Sequence, residues 1–98
     1  MLDMHNESFD RLFEAILRLE TTEECYRFFE DICTVKEICE MAGRLDVARY
    51  LSAGKNYQEI SALTGASTAT ISRVSKCLNY GSGGYALVLK KEKEGLAE

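Results

Sequence analysis

Residues Leu63 to Val74 read Leu-Thr-Gly-Ala-Ser-Thr-Ala-Thr-Ile-Ser-Arg-Val. This is the layout expected for the turn and second helix of a helix-turn-helix, a motif that lays one helix in the major groove of DNA. Ile60 stands five residues before Gly65, and Ile71 and Val74 stand six and nine after it, the apolar positions that let two short helices pack across a bend. Gly65 can take a positive φ without a Cβ clash. Ser67 can accept a hydrogen bond from the free N–H groups that open the next helix. On a helical wheel begun at Ser67, Ile71, Val74 and Leu78 share one side. Ala69, Ser72, Arg73 and Lys76 lie opposite, with Thr68 on the flank.

That opposite side is the candidate DNA face, comprising Ser67, Thr68, Ala69, Ser72, Arg73 and Lys76 together with Gln58 from the preceding helix. Thr68, Ala69 and Ser72 are short, so the helix backbone can approach base edges. Thr and Ser exchange hydrogen bonds there, and Ala touches a thymine methyl. Arg73, Lys76 and Lys55 are expected to fix register on phosphates.

The 98 residues suffice for a single domain with one core, yet are few enough that association with a second copy matters. No proline occurs, 46% of residues are hydrophobic, and their spacing is helical, so an all-α, multi-helix chain is expected. Residues of about 8–54 are read as a helical core and dimerisation segment, about 56–79 as the helix-turn-helix, and 85–98 as a C-terminal tail. No apolar run approaches the length of a membrane span, and no signal-peptide pattern opens the chain. The expected location is cytoplasmic.

The net charge of −4 is unevenly placed. Residues 1–54 carry six basic and twelve acidic side chains, whereas residues 55–91 hold Lys55, Arg73, Lys76, Lys90 and Lys91 against Glu59 alone. Such asymmetry points to a nucleic-acid face, although so few cations make a modest footprint. Cys25, Cys33, Cys39 and Cys77, separated by eight, six and thirty-eight positions, match neither a C-x-x-C pair nor a zinc pattern. They are read as small hydrophobes. His5 has no second ligand nearby and is given no role. No metal site, cofactor or acid–base constellation is expected, and the chain is not read as an enzyme.

Each expected helix has a start signal. Ser8 precedes Phe9, Leu12, Phe13, Ile16 and Leu17, which share one face. Thr21 with Glu24, Thr34 with Glu37 and Asn56 with Glu59 have capping-box spacing. The second helix is expected to run to about Cys33 on a stripe of Phe28, Phe29 and Ile32. The third, from Val35 to about Ala53, is expected to bury Ile38, Ala42, Leu45, Ala48 and Leu51 and to stop at Gly54. Short helices Tyr57 to Leu63 and Ser67 to about Asn79 follow. Gly81 to Gly84 break the chain, Tyr85 to Leu89 form a docking helix, and Lys90 to Glu98 are expected to fray. The two N-terminal helices carry more apolar surface than a small trihelical unit can hide, which suggests burial against a second chain in an isologous dimer.

From Thr34 onward the sequence resembles the tryptophan repressor superfamily. The similarity is carried by Gly65-Ala66-Ser67-Thr68-Ala69-Thr70-Ile71-Ser72-Arg73 and the helix Tyr57 to Leu63. The stretches Leu-Phe-Glu-Ala-Ile-Leu and Glu-Glu-Cys-Tyr-Arg-Phe-Phe-Glu-Asp near the N-terminus resemble its TrpR-related YerC/YecD branch in particular. The resemblance implies a Trp-repressor-like fold, an intertwined homodimer and presentation of two helix-turn-helix units to double-stranded DNA. It also implies an effector pocket, with Thr34, Arg44, Arg73 and Cys77 at the matching positions. Val74 stands where the family has a glycine that leaves room for an indole ring, and Cys77 where it has a serine. Added branched volume in a tight pocket is unfavourable, so tryptophan is not the expected corepressor, and whether any small-molecule effector acts is left open. The alternative for Arg44 is a local pair with Asp46 or Glu40, and for Arg73 a phosphate contact alone. In the family the first motif helix bears basic residues, whereas Gln58 and Ser61 stand here, neutral groups able to hydrogen-bond a phosphate or base. The expected function is sequence-specific transcriptional regulation. The competing reading is a protein-interaction module that keeps the fold without specific DNA binding.

Overall fold

The structure is a computed structural model that describes residues 6–96, and side-chain surroundings as far as residue 95. His5 lies outside the described residues. Six helices and no strand are found among them: α1 Glu7–Leu17, α2 Thr22–Ile32, α3 Val35–Ser52, α4 Tyr57–Thr64, α5 Thr68–Tyr80 and α6 Gly84–Leu96. The chain divides into two compact units, one through Ile38 and one from Cys39 onward.

In the first unit, α1 starts two residues earlier than Ser8 suggested. Asn6 is its N-cap, and its side-chain oxygen accepts the Phe9 N–H at 2.9 Å. Asparagine caps as well as serine does, so the Ser8 reading is corrected by two positions. α2 is capped by Thr21, which accepts from Glu24 N, but the Glu24 carboxylate reaches past the cap to the N–H of Glu20 at 2.9 Å. Thr34 and Glu37 form the full reciprocal box, at 3.1 and 2.8 Å. Hydrogen bonding from Thr34, its backbone N–H first and its side chain second, holds the Glu37 carboxyl below its ordinary value. Phe28 and Phe29 meet edge to face at 5.6 Å, a favoured aromatic geometry. Yet neither α1 nor α2 has a buried residue. Phe13 is 54% exposed, Leu17 82%, and Tyr26, Ile32 and Val35 are exposed as well.

The second unit holds the core. Val47, Ala48, Ile60, Ile71 and Val74 are buried, and Tyr50, Leu51, Ala66, Leu78, Tyr85 and Leu89 pack around them. The stripe expected on α3 is thereby corrected. Ala48 is buried as expected, but Ile38, Leu45 and Leu51 are only half-buried, Ala42 is exposed, and Val47 takes their place. Only the C-terminal part of α3 faces α4 and α5 side chains in this core, so an amphipathic stripe read over its whole length overestimates what the chain itself covers. α3 ends in a Schellman arrangement at Gly54, φ +86°, with Lys55 N–H donating to Tyr50 O at 3.1 Å and Gly54 N–H to Leu51 O at 3.0 Å.

The C-terminal segment is a second correction. Residues 90–96, expected to fray, continue α6. Arg49 of α3 grips Glu92 with Nε at 3.1 Å and Nη2 at 2.6 Å, and its Nη1 donates to Asp46 at 2.9 Å. A two-pronged guanidinium–carboxylate pair fixes direction as well as distance. It lowers the Glu92 carboxyl from its ordinary value and raises that of Arg49. All four cysteines are free, Cys25 and Cys33 half-buried, Cys39 and Cys77 exposed.

Candidate nucleic-acid interface

The helix-turn-helix is α4, a three-residue turn and α5. α4 opens at Asn56, whose side chain accepts the Glu59 N–H at 2.9 Å. The Glu59 carboxylate does not complete a box; it lies 3.8 Å from Lys55 Nζ instead. α4 ends at Gly65, which has φ +75° and donates its N–H to Ser61 O at 2.8 Å. This is the left-handed closure that glycine adopts at least cost. Ser67 then caps α5, accepting from Thr70 N at 3.1 Å while its own hydroxyl donates to Thr70 Oγ1 at 3.1 Å.

α5 divides by face as the wheel indicates. Ile71 and Val74 are buried, and Leu78 packs beside them. Thr68, Ala69, Ser72, Arg73 and Lys76 are exposed, as are Ser67 and Gln58. Arg73 and Lys76 form no ion pair among the described residues. Among the described residues nothing neutralises the Arg73 guanidinium or the Lys76 ammonium, and both sit on the side of α5 away from the core. Lys55, expected beside them, is half-buried and faces Glu59.

Ser61 departs from its expected place. Its hydroxyl is partly buried and donates inward to Ala66 O at 2.9 Å, so it serves the turn. Sequence alone gives no direction for a serine on a short helix, and only the closing of the turn brings Ala66 O within its reach.

Three of the four positions of the expected effector pocket, Arg44, Arg73 and Cys77, lie in the second unit and line two hollows there. Arg44 and Arg73 line one open hollow of about 390 Å³, with Cys39, Glu40, Gly43, Thr64 to Ala66 and Thr70. Cys77 lines a different hollow of about 590 Å³, where Arg44 again contributes an edge, among Met41, Leu45, Tyr85 and Val88. Thr34, in the first unit, is occupied as the cap of α3. Val74 is 1% exposed, seated in the core, and lines neither hollow. Of the local partners considered for Arg44, Asp46 is taken by Arg49, and Arg44 forms no ion pair among the described residues. No group of three or more His, Cys, Asp or Glu is placed to hold a metal ion among those residues. No helix among them is long and apolar enough to cross a membrane.

The fold is shared with known proteins. Residues 7–93 match the model of the Trp repressor protein family. The chain is 53% identical over 91 residues to the uncharacterized protein YerC of Bacillus subtilis, covering 93% of this chain and 88% of YerC. Its fold is similar to the crystal structure of a Trp repressor candidate from Staphylococcus aureus, with a TM-score of 0.89 at 46% identity over 92% of this chain and 90% of the other. It is equally similar to that of a TrpR like protein from Eubacterium eligens ATCC 27750, with a TM-score of 0.89 at 44% identity over 92% and 93% of the two chains. A helix-turn-helix built on this core, matched by a family model along nearly its whole length, makes the chain a member of the Trp repressor family.

Proposed function

We propose that this protein is a sequence-specific DNA-binding transcriptional regulator that acts as a homodimer. One observation carries the reading: α5 buries Ile71 and Val74 while turning Thr68, Ala69, Ser72, Arg73 and Lys76 outward, with no side-chain hydrogen bond or ion pair to any of these five among the described residues. A helix with an idle face of short polar groups and unpaired cations fits a groove lined by phosphates and base edges. Ser67, whose hydroxyl serves the cap, would contribute through its backbone at the helix start, where N–H groups attract phosphate. Gln58 would reach the backbone from α4.

The first unit supports the dimer. Fully burying a Leu, Ile, Val or Phe side chain contributes about 1.5–3 kcal/mol. Phe13, Leu17, Ile32 and Val35, each half exposed or more, together forgo several kcal/mol of this on the order-of-magnitude scale, a sizeable share of a small domain's stability. A second copy supplies the missing cover and, by symmetry, a second α5 for the next turn of the duplex, ~34 Å away.

The test is fluorescence anisotropy on duplexes selected from a random pool at low salt. With two to three phosphate contacts per chain, log K against log salt should fall with a slope of about −4 to −5 for the dimer. The double variant Ser72→Glu, Arg73→Glu should lose binding with its mass in solution unchanged. No enrichment of any duplex and no retardation by the wild type would remove DNA binding, and a DNA-independent partner lost in the double variant would establish the protein-interaction reading in its place.

A further inference from the structure

The connection between α4 and α5 consists of Gly65, Ala66 and Ser67, and Ala66 belongs to neither helix. Its two peptide groups need partners, since an unpaired polar group that is even partly buried costs free energy. Both partners are hydroxyls from α4. The Ser61 hydroxyl donates to Ala66 O at 2.9 Å. Thr64 Oγ1 accepts the Ala66 N–H at 3.1 Å, and its one proton goes to Ile60 O at 2.7 Å. All four groups are part-buried, and Ala66 itself packs against the core. The two peptide groups that flank Ala66 are thus each held by a hydroxyl of the preceding helix, while Gly65 N–H is tied to Ser61 O.

We infer that Ser61 and Thr64 are positioning residues: through Ala66 they fix the direction of α5 relative to α4 and so set duplex affinity without touching DNA. The functional half of this inference rests on the DNA-binding reading above; the structural half does not. A serine in contact with the duplex would need its hydroxyl free and outward. Here the proton is committed inward, and the two helices are held at their working angle by the chain's own groups.

The experiment compares Ser61→Ala, Thr64→Val and the conservative Thr64→Ser in the full-length chain. Amide hydrogen exchange of the free protein is the first readout. Exchange at Gly65 and Ala66 should quicken about two- to tenfold in Ser61→Ala and Thr64→Val, the range a single net hydrogen bond commands, and return near wild type in Thr64→Ser. Affinity for a duplex selected by the wild type is the second. It should weaken by a similar factor in the first two variants, with the salt slope unchanged because no phosphate contact is lost. Weaker binding with unaltered exchange would overturn the inference by making Ser61 a direct contact. Quicker exchange with unaltered affinity would overturn it by making the turn irrelevant to binding. If the wild type selects no duplex, the DNA-binding reading fails, and the exchange measurement alone decides whether these hydroxyls hold the turn.

Discussion

Arg73 and Gly65 stand eight positions apart and govern different quantities. Arg73 is exposed and unpaired among the described residues, so Arg73→Ala should leave thermal stability nearly unchanged. It should reduce the steepness of the salt dependence of DNA binding by about one per chain, or about two for the dimer; an unaltered slope would place Arg73 away from phosphate. Gly65 affects folding instead. A Cβ there meets nothing within 4 Å, but φ is +75°, and an L-residue pays about 1–2 kcal/mol for that conformation. Gly65→Ala should therefore lower the unfolding free energy by that amount, read as a lower urea midpoint with an unchanged m-value. Gly81 shows the converse: its φ of −84° suits any residue, but an added Cβ would fall on the carbonyl oxygen of Cys77 in the backbone of α5. At this scale the positive φ of Gly65 is legible in the sequence, whereas the direction of a short polar side chain is not. The hydroxyl of Ser61 illustrates it, since nothing in the local sequence says whether it faces solvent or the turn.

Among the elements, α6 depends on the longest-range polar tie among the described residues, Arg49 to Glu92, 43 positions apart. Leu87 and Val88 are exposed, and Tyr85 and Leu89 alone pack against the core, so the distal part of α6 relies on the ion pair for its anchoring. Glu92→Gln should speed amide exchange over residues 90–95 and leave α4 and α5 unaffected; unaltered exchange there would show that apolar packing suffices. The pH dependence has a definite sign. The Glu92 carboxyl is depressed below its ordinary 4.5 by hydrogen bonding to Arg49. Its contribution is therefore complete above about pH 4.5, where the unfolded carboxylate is also ionised, and is lost as pH falls through the lower folded value. Arg49 remains charged throughout that window. The pair is exposed to solvent and screened by salt, so the same fraying should also be promoted by high ionic strength. The start signals at Thr21, Thr34, Asn56 and Ser67 all cap helices in the structure, because capping is chemistry between residues three apart. Residues 90–96 were illegible from sequence for the opposite reason: their partner sits on another helix.

For the whole molecule, the division of labour between the two units yields a prediction about mass. The first unit exposes Phe13, Leu17, Ile32 and Val35, whereas the second buries five side chains in a closed cluster. Light scattering at micromolar concentration should return twice the 11.0 kDa chain mass, and Phe13→Glu should shift the population toward the single chain while weakening duplex binding. A wild-type mass of one chain would remove the dimer and with it the paired presentation of α5.

Sequence by itself determined the helical class, the helix-turn-helix and the division of α5 into a core side and an outward side, because periodicity, capping and a left-handed glycine are all local properties of the chain. It also marked Arg44 and Arg73 as notable without placing them. Tertiary structure alone decided that Val47 replaces Leu45 in the core, that Val74 lines neither hollow, that Cys77 and Arg73 line separate hollows, and that Glu92 holds α6 in place. Those outcomes depend on which helix faces arrive opposite one another, and side chains far apart in sequence acquire their partners only when the chain has closed on itself.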